Sequence, residues 1–363
     1  MKPGLIRTFI LLGGAVLIVG LIVPNLRLSW REPRAVATPP GGIDPASIHP
    51  EEVFARAAAI ASPSVVNIDT EKRVRLRGSM LEEEFFGPRY QRVAGSGSGV
   101  IIHADGDIVT NEHVVSGAEK IVVTLADGRQ FDGRVIGGDR RTDVALVKIE
   151  GDKLPVAKLG SSAKLIPGQI SVAIGNPLGL RFTVTHGIIS ALGRPIGIGE
   201  RIYEDLIQTD TAINPGNSGG ALVDREGKVI GINTLVDQQA HGIGFAIPID
   251  TAMRIVGQLK RYGKVKRPWT GLYAMPITRM IQARFGVDFT EGAFVQGLDR
   301  GSPADEAGIS PGDVILELNG EKVLDPDSLR QITDRLKIGQ TVPITIYRRG
   351  ERLKGEITLR EAP

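Results

Sequence analysis

No cysteine occurs anywhere in the 363 residues. That excludes a disulfide framework, a thiol nucleophile and a lipid-bearing cysteine, and leaves the compartment open. Histidine is scarce too: His49, His103, His113, His186 and His241 are the full set. No two of them stand at a metal-ligand spacing and no cysteine joins them, so no metal and no other cofactor is expected. A charge excess is missing from the body of the chain. The net +3 is concentrated in the first 34 residues, where Lys2, Arg7, Arg27, Arg31 and Arg34 face only Glu32, and the remainder sums to −1. No nucleic-acid footprint remains to be explained.

What is present begins with an uncharged apolar run, Phe9 to Val23, behind Lys2 and Arg7. Its fifteen residues are long for a signal-peptide core and short for a spanning helix, which needs about 20. Leu26, Leu28 and Trp30 can extend it, and the nearest A-x-A, Ala35-Val36-Ala37, follows only after a gap. Residues 1–30 are therefore expected to be a membrane anchor, with a cleaved signal peptide as the alternative. Residues 31–50 are rich in Pro, Gly and Ala and read as a linker.

Residues 51–263 begin with a short amphipathic helix and continue as short β-branched strands between turns, with Asp-Gly at 105–106, 127–128 and 132–133. Strands this frequent, without alternating helices, predict a β-barrel or sandwich. A helix follows, with Ile249, Met253, Val256 and Leu259 or Lys260 at helical spacing and Gly263 as its cap. Residues 264–363 mix strands with two helical stretches, "SPADEAG" and "DPDSLRQITDRL", which makes a small α+β module.

Chemistry concentrates in "INPGNSGGAL", 213–222, where glycines surround Ser218. Such a turn lets backbone N–H groups converge on an oxyanion, although a surface loop uses glycine in the same way. His113 lies where a strand gives way to a polar turn in "IVTNEHVVSGA". Asp143 enters a buried strand in "RRTDVALVKIE" and so needs a polar partner. The order His, Asp, Ser on an all-β body is that of chymotrypsin-type serine proteases. "GSGSGVII" at 95–102 lacks the lysine and helix of a phosphate loop and reads as glycines easing a crowded strand.

"TNEHVV", "TDVALVKI", "IGNPLGL", "QTDTAINPGNSGGALV" and "GIGFAIP" resemble the HtrA/Deg family of serine proteases. "RPWTGL" and "GSPADEAGISPGDVILELNGEKV" resemble the PDZ domain that family carries. The resemblance implies a mainly β chain: a chymotrypsin-like double β-barrel over 51–263, then a PDZ domain over 264–363, preceded by the anchor. With one PDZ domain it is similar to the membrane-anchored stress sensors of bacterial envelopes. It implies Ser218 as nucleophile, His113 as general base, Asp143 as its orienting acid, and the N–H groups of Gly216, Asn217 and Ser218 as the oxyanion hole. Ile213 and Val236 would wall a pocket for small aliphatic residues. Trp269, Thr270, Gly271 and Leu272 would take the carboxylate of a C-terminal peptide. Arg194, then Arg201, in the loop 192–205 would sense the PDZ domain. The family's aromatic partner for that arginine is replaced by Leu178, with Phe182 as a substitute. Polypeptide substrates (misfolded envelope proteins or a membrane-bound anti-sigma factor), a homotrimer and a periplasmic location complete the expectation. The competing reading is a non-catalytic PDZ adaptor or chaperone on a protease-like scaffold.

Overall fold

The structure, a computed structural model, describes residues 52–76, 89–177, 182–198, 201–234 and 242–362, with Ala46 and His49. The expected anchor, its apolar core at 9–23, and most of the linker lie outside them, as do Leu178 and Val236. Among the described residues no helix is long and apolar enough to cross a membrane.

Helix α1 (Val53–Ala61) buries Ala57, Ala58 and Ala61, and a 3-10 turn over Ser62–Ser64, with Pro63 inside it, ends it. Its Phe54 stacks on the His186 ring at 4.2 Å between centroids. The chain then enters β1 (Val65–Leu76), β2 (Arg89–Ile101) and β3 (Asp107–Thr110), followed by the single-turn helix α2 (Glu112–Val115). Strands β4 (Lys120–Thr124), β5 (Gln130–Asp132), β6 (Arg134–Asp139) and β7 (Val144–Lys148) complete a seven-stranded antiparallel sheet in the order β5-β4-β1-β2-β3-β7-β6. Two of the three Asp-Gly pairs make the expected turns, with Gly106 at φ 98° and Gly128 at φ 86°. The third does not. Gly133 joins the two edge strands β5 and β6, which do not pair, and it lies so close to Ile121 that a Cβ would stand 2.8 Å from that side chain. It is a corner at which the sheet curls back on itself.

The second barrel is closed: β8 (Ile170–Gly175), β9 (Thr183–Ile198), β10 (Arg201–Thr209), β11 (Ala221–Val223), β12 (Val229–Asn233) and β13 (Gly244–Pro248) run in the order β10-β13-β12-β11-β8-β9. Helix α3 (Ile249–Tyr262) packs on β6 and β7 of the first sheet and on β12 and β13 of the second. Its buried stripe is Ile249, Ala252, Ile255, Val256 and Leu259. Met253 is only partly buried, and Lys260 turns out to Asp107. Gly263 caps it at φ 70°.

The last hundred residues hold β14 (Pro268–Trp269), β15 (Leu272–Pro276), α4 (Arg279–Phe285), β16 (Ala293–Leu298), α5 (Pro303–Glu306), β17 (Val314–Leu318), β18 (Glu321–Lys322), α6 (Pro326–Arg335), β19 (Thr341–Arg348), β20 (Glu351–Thr358) and β21 (Arg360–Glu361). Both expected helices are there. Helix α4 was not foreseen, although Thr278 accepts the Ile281 N–H at its start and Gly286 closes it at φ 66°. Strand β15 is an edge strand, paired only with β16.

Because α3 packs on both barrels, truncating one of its fully buried side chains tests the arrangement. Leu259→Ala, at a fully buried position, should destabilise by about 2–5 kcal/mol. Met253→Ala should cost clearly less. Urea unfolding of both variants checks the order, which reverses if the stripe runs through Met253.

Candidate active site

Asp143 has no solvent exposure and sits at φ 57°, a left-handed conformation that aspartate tolerates better than most residues. That conformation turns the residue back under α2. Its carbonyl accepts the Glu112 N–H and the Asn111 side-chain amide, both at 3.1 Å. Its carboxylate accepts the His113 N–H at 3.0 Å through Oδ1 and the His113 ring at 2.7 Å through Oδ2. The Tyr203 hydroxyl from β10 at 3.3 Å and the Thr234 hydroxyl just beyond β12 at 3.1 Å also donate to Oδ2. A carboxylate only accepts, so the His113 Nδ1 carries the proton and Nε2 is left as the basic nitrogen.

Ser218 reaches the same place from the second barrel. Its carbonyl accepts the Ser98 N–H at 2.9 Å, and Ser98 is bonded in turn by the Thr110 hydroxyl, three residues before His113. Gly219 at φ 81° makes this approach possible, since a Cβ there would stand 2.2 Å from the Ser98 carbonyl oxygen. Among the described residues no hydrogen bond joins the Ser218 hydroxyl to His113; contacts of this kind commonly tighten only with substrate. Of the three expected oxyanion donors, Asn217 is already engaged, its N–H donating to the Asn214 carbonyl at 3.1 Å. The N–H groups of Gly216 and Ser218 have no backbone partner among the described residues. Ile213 is 5% exposed and belongs to the interior of the second barrel, with Ala173, Ile189 and Leu222.

In the C-terminal module Thr270 and Gly271 turn their carbonyls inward, to the N–H groups of Ala304 at 2.9 Å and Asp299 at 3.0 Å. In a trans peptide the N–H points opposite its carbonyl, so the N–H groups of Gly271 and Leu272 face away from that body, at the head of edge strand β15, where the Leu272 N–H meets the Thr270 hydroxyl at 3.4 Å. Gly271 is at φ 78°, and a Cβ there would stand 2.2 Å from that of Ser302. Trp269 instead pairs with Arg360 in a two-stranded ribbon. Arg194 and Arg201 lie on β9 and β10, with side chains outside the described residues. Phe182 packs on the main core cluster.

Two family models match the chain: a trypsin-like peptidase domain over residues 97–232 and a PDZ domain over 276–359. A Synechocystis sp. relative carrying the name serine protease HhoA is 45% identical over 327 residues, which cover 84% of this chain and 83% of that one. This chain belongs to the HtrA/Deg family of serine proteases. A Marinomonas sp. relative carrying the name DegP-like periplasmic serine endoprotease is 40% identical over 85% of this chain and 71% of its own length. The solved HtrA-type protease AlgW with a decapeptide superposes with a TM-score of 0.74 at 39% identity, covering 85% of this chain and 99% of that one. A serine endoprotease from Yersinia pestis gives 0.66 at 34% identity over 85% and 98% of the two chains.

This HtrA/Deg chain is therefore a serine endopeptidase with a PDZ domain, and its architecture is mainly β, as expected. Sequence reasoning missed Tyr203 and Thr234, and it missed the contacts that tie the PDZ module to the catalytic acid. Arg267, in the hinge, makes a two-pronged pair with Asp139 at 2.7 Å, and Asp139 also accepts the Thr142 N–H and hydroxyl. Arg141 pairs with Asp334 of α6. A separate grouping of His103, Asp105 and Asp107 brings three ligand atoms together, but the Lys148 and Lys260 ammoniums occupy its carboxylates. Slight burial raises the Asp105 carboxyl, and hydrogen bonds from Lys260, His103 and Lys148 bring it down to about 2.

Burial pushes the Asp139 carboxyl up, but Arg267 and Thr142 together hold it below the ordinary aspartate range. A depressed folded pKa means that the pair's stabilisation is present above the unfolded value and is lost as pH falls through the lower folded one. Hydrogen exchange at residues 263–267, corrected for intrinsic rates, should thus stay slow from neutrality to about pH 4 and rise only below it. Arg267→Ala should show fast exchange already at neutral pH; unchanged protection would remove the pair as the tie.

Proposed function

We propose that His113, Asp143 and Ser218 are the catalytic triad, with Ser218 attacking the scissile carbonyl. The observation that carries this is the Asp143 carboxylate, which holds both the main-chain N–H and the ring Nδ1 of His113. His113 Nε2 takes the hydroxyl proton and returns it to the leaving amine, while Asp143 fixes the tautomer and stabilises the imidazolium. The oxyanion receives the N–H groups of Gly216 and Ser218, not of Asn217. Ser218→Ala and His113→Ala should each abolish hydrolysis in folded protein, and Asp143→Asn should reduce kcat by about 10⁴-fold. Wild-type turnover by pure Ser218→Ala protein would sink the assignment. Cut sites in a denatured test protein should fall after Val, Ala and similar residues, with Ile213 and Val236 as pocket walls.

The setting we infer is the bacterial envelope: a periplasmic protease held by the segment 1–30, working as a homotrimer on misfolded proteins or a membrane-bound anti-sigma factor. The apolar run Phe9–Val23 and the periplasmic naming of the Marinomonas relative support it. Thr270, Gly271 and Leu272, with Trp269 beside them, would hold a peptide carboxylate on backbone N–H groups while the peptide adds to β15. Such peptides would raise activity through Arg267–Asp139 and Arg141–Asp334, which end on the turn leading into Asp143, with Arg194 and Arg201 as further transmitters. A 100-fold activation needs about 2.7 kcal/mol of differential affinity for the active arrangement. With a small substrate lacking a PDZ-binding tail, an apolar C-terminal peptide should raise kcat, and Arg267→Ala should shrink that ratio. Equal rates with and without peptide would reduce the module to a tether.

A further inference from the structure

The run 95–102 did not enter the catalytic reading, yet its central residue makes two hydrogen bonds to the serine turn. Ser98 has no solvent exposure and lies on β2 between Gly97 and Gly99. A Cβ on Gly97 would stand 2.8 Å from Val114, and one on Gly99 2.7 Å from Ile108, so the strand is pressed into place from both flanks. The Ser98 hydroxyl donates to the Gly216 carbonyl at 2.6 Å and accepts the Asn176 N–H at 2.9 Å. One buried hydroxyl therefore joins β2, the loop after β8 and the serine turn.

We propose that Ser98 is a positioning residue that clamps the Gly216–Asn217 peptide plane and so aims the oxyanion donors. This rests on the triad and oxyanion reading above and deepens it. The plane is held at both ends: its carbonyl by the Ser98 hydroxyl, its N–H by the Asn214 carbonyl at 3.1 Å. A planar trans peptide pinned at both ends rotates only if both bonds break. Gly216 stands at φ 108°, where glycine alone offers little intrinsic resistance to rotation. The Gly216 and Ser218 N–H groups belong to the two flanking planes, which share the Gly216 and Asn217 Cα atoms with this one, so a displacement of the clamped plane would carry both donors with it. Strand placement does not need the hydroxyl, because the Ser98 N–H bond to the Ser218 carbonyl and the Thr110 bond to the Ser98 carbonyl are independent of it.

Ser98→Ala deletes the clamp and keeps those main-chain bonds. With a fluorogenic peptide carrying valine on the acyl side of the cut, kcat should fall about 10–100-fold with KM little changed. Affinity for the peptide boronic acid of the same sequence should fall in step with kcat. The acid limb of the pH–kcat profile should not move, since His113 and Asp143 are untouched. Ser98→Cys, near in shape but a weak donor, should lie between wild type and alanine, and it decides the matter if the alanine variant does not fold. A kcat within threefold of wild type, a loss confined to KM, or a shifted acid limb would overturn the proposal. If Ser218→Ala stays active, the triad reading itself fails. If Ser218→Ala is dead while Ser98→Ala keeps its kcat, only the clamp fails.

Discussion

A carboxylate with no access to water must be given donors, and among the described residues the His113 N–H, the His113 ring, Tyr203 and Thr234 all donate to Asp143. An uncompensated charge there would cost several kcal/mol. The donors come from different parts of the chain. His113 stands on α2, after a strand of the first sheet, whereas Tyr203 and Thr234 come from β10 and the end of β12 in the second barrel. The charge can be buried only when both barrels are in place, so satisfying one polar group and closing the interdomain cleft are the same event. The left-handed backbone at Asp143, costing about 1 kcal/mol or more, is held because both its carbonyl and its carboxylate are anchored to residues 111–113.

The two barrels meet along a seam narrow enough that side chains would obstruct it. Gly219 lets the serine turn reach the Ser98 carbonyl across it, and within the second barrel Gly175 passes so near Asn217 that a Cβ would lie 2.4 Å from its Cα. Helix α3 packs its aliphatic side chains from Ile249 to Leu259 on strands of both barrels. Polar stitching at the serine turn and apolar packing of α3 together fix the barrels' relation, and with it the placing of His113 against Ser218.

How much of this could be read in advance follows from which residue types advertise themselves. His113, Asp143 and Ser218 stand out because histidine is rare, because an acid at the start of "VALV" needs a partner, and because glycines crowd the serine. Tyr203 and Thr234 did not, since tyrosine and threonine are ordinary strand residues and only tertiary structure shows whom their hydroxyls meet. The resemblance implies Asn217 as an oxyanion donor, and sequence order does not give the direction of a peptide plane; in the structure its N–H donates to the Asn214 carbonyl. Gly133 reads as a hairpin turn on its dipeptide, yet it is a corner whose role depends on Ile121 beneath it. Helix α4 was missed because seven residues carry too little periodicity, leaving only Thr278 and Gly286 as signals. Helical spacing puts Met253 in the stripe of α3, whereas the packing of two barrels on one helix sets it toward Ala252 and Ile255.

The charged contacts at the start of the PDZ module differ greatly in what they can transmit. Lys264 and Lys266 reach Glu361 from exposed positions, where ion pairs contribute about 0–1 kcal/mol and salt screens them. Arg267 and Asp139 are different: their side chains are 22% and 8% exposed and meet through two parallel bonds. Breaking such a pair leaves a nearly buried carboxylate without its cation. Asp139 also holds the Thr142 N–H, so the backbone between it and Asp143 is fixed at both ends. Three residues pinned in this way transmit displacement poorly by bending but readily as a unit. A movement of the hinge at Arg267 must therefore either break the pair or carry the turn that presents Asp143, and both outcomes bear on the donors that His113 requires.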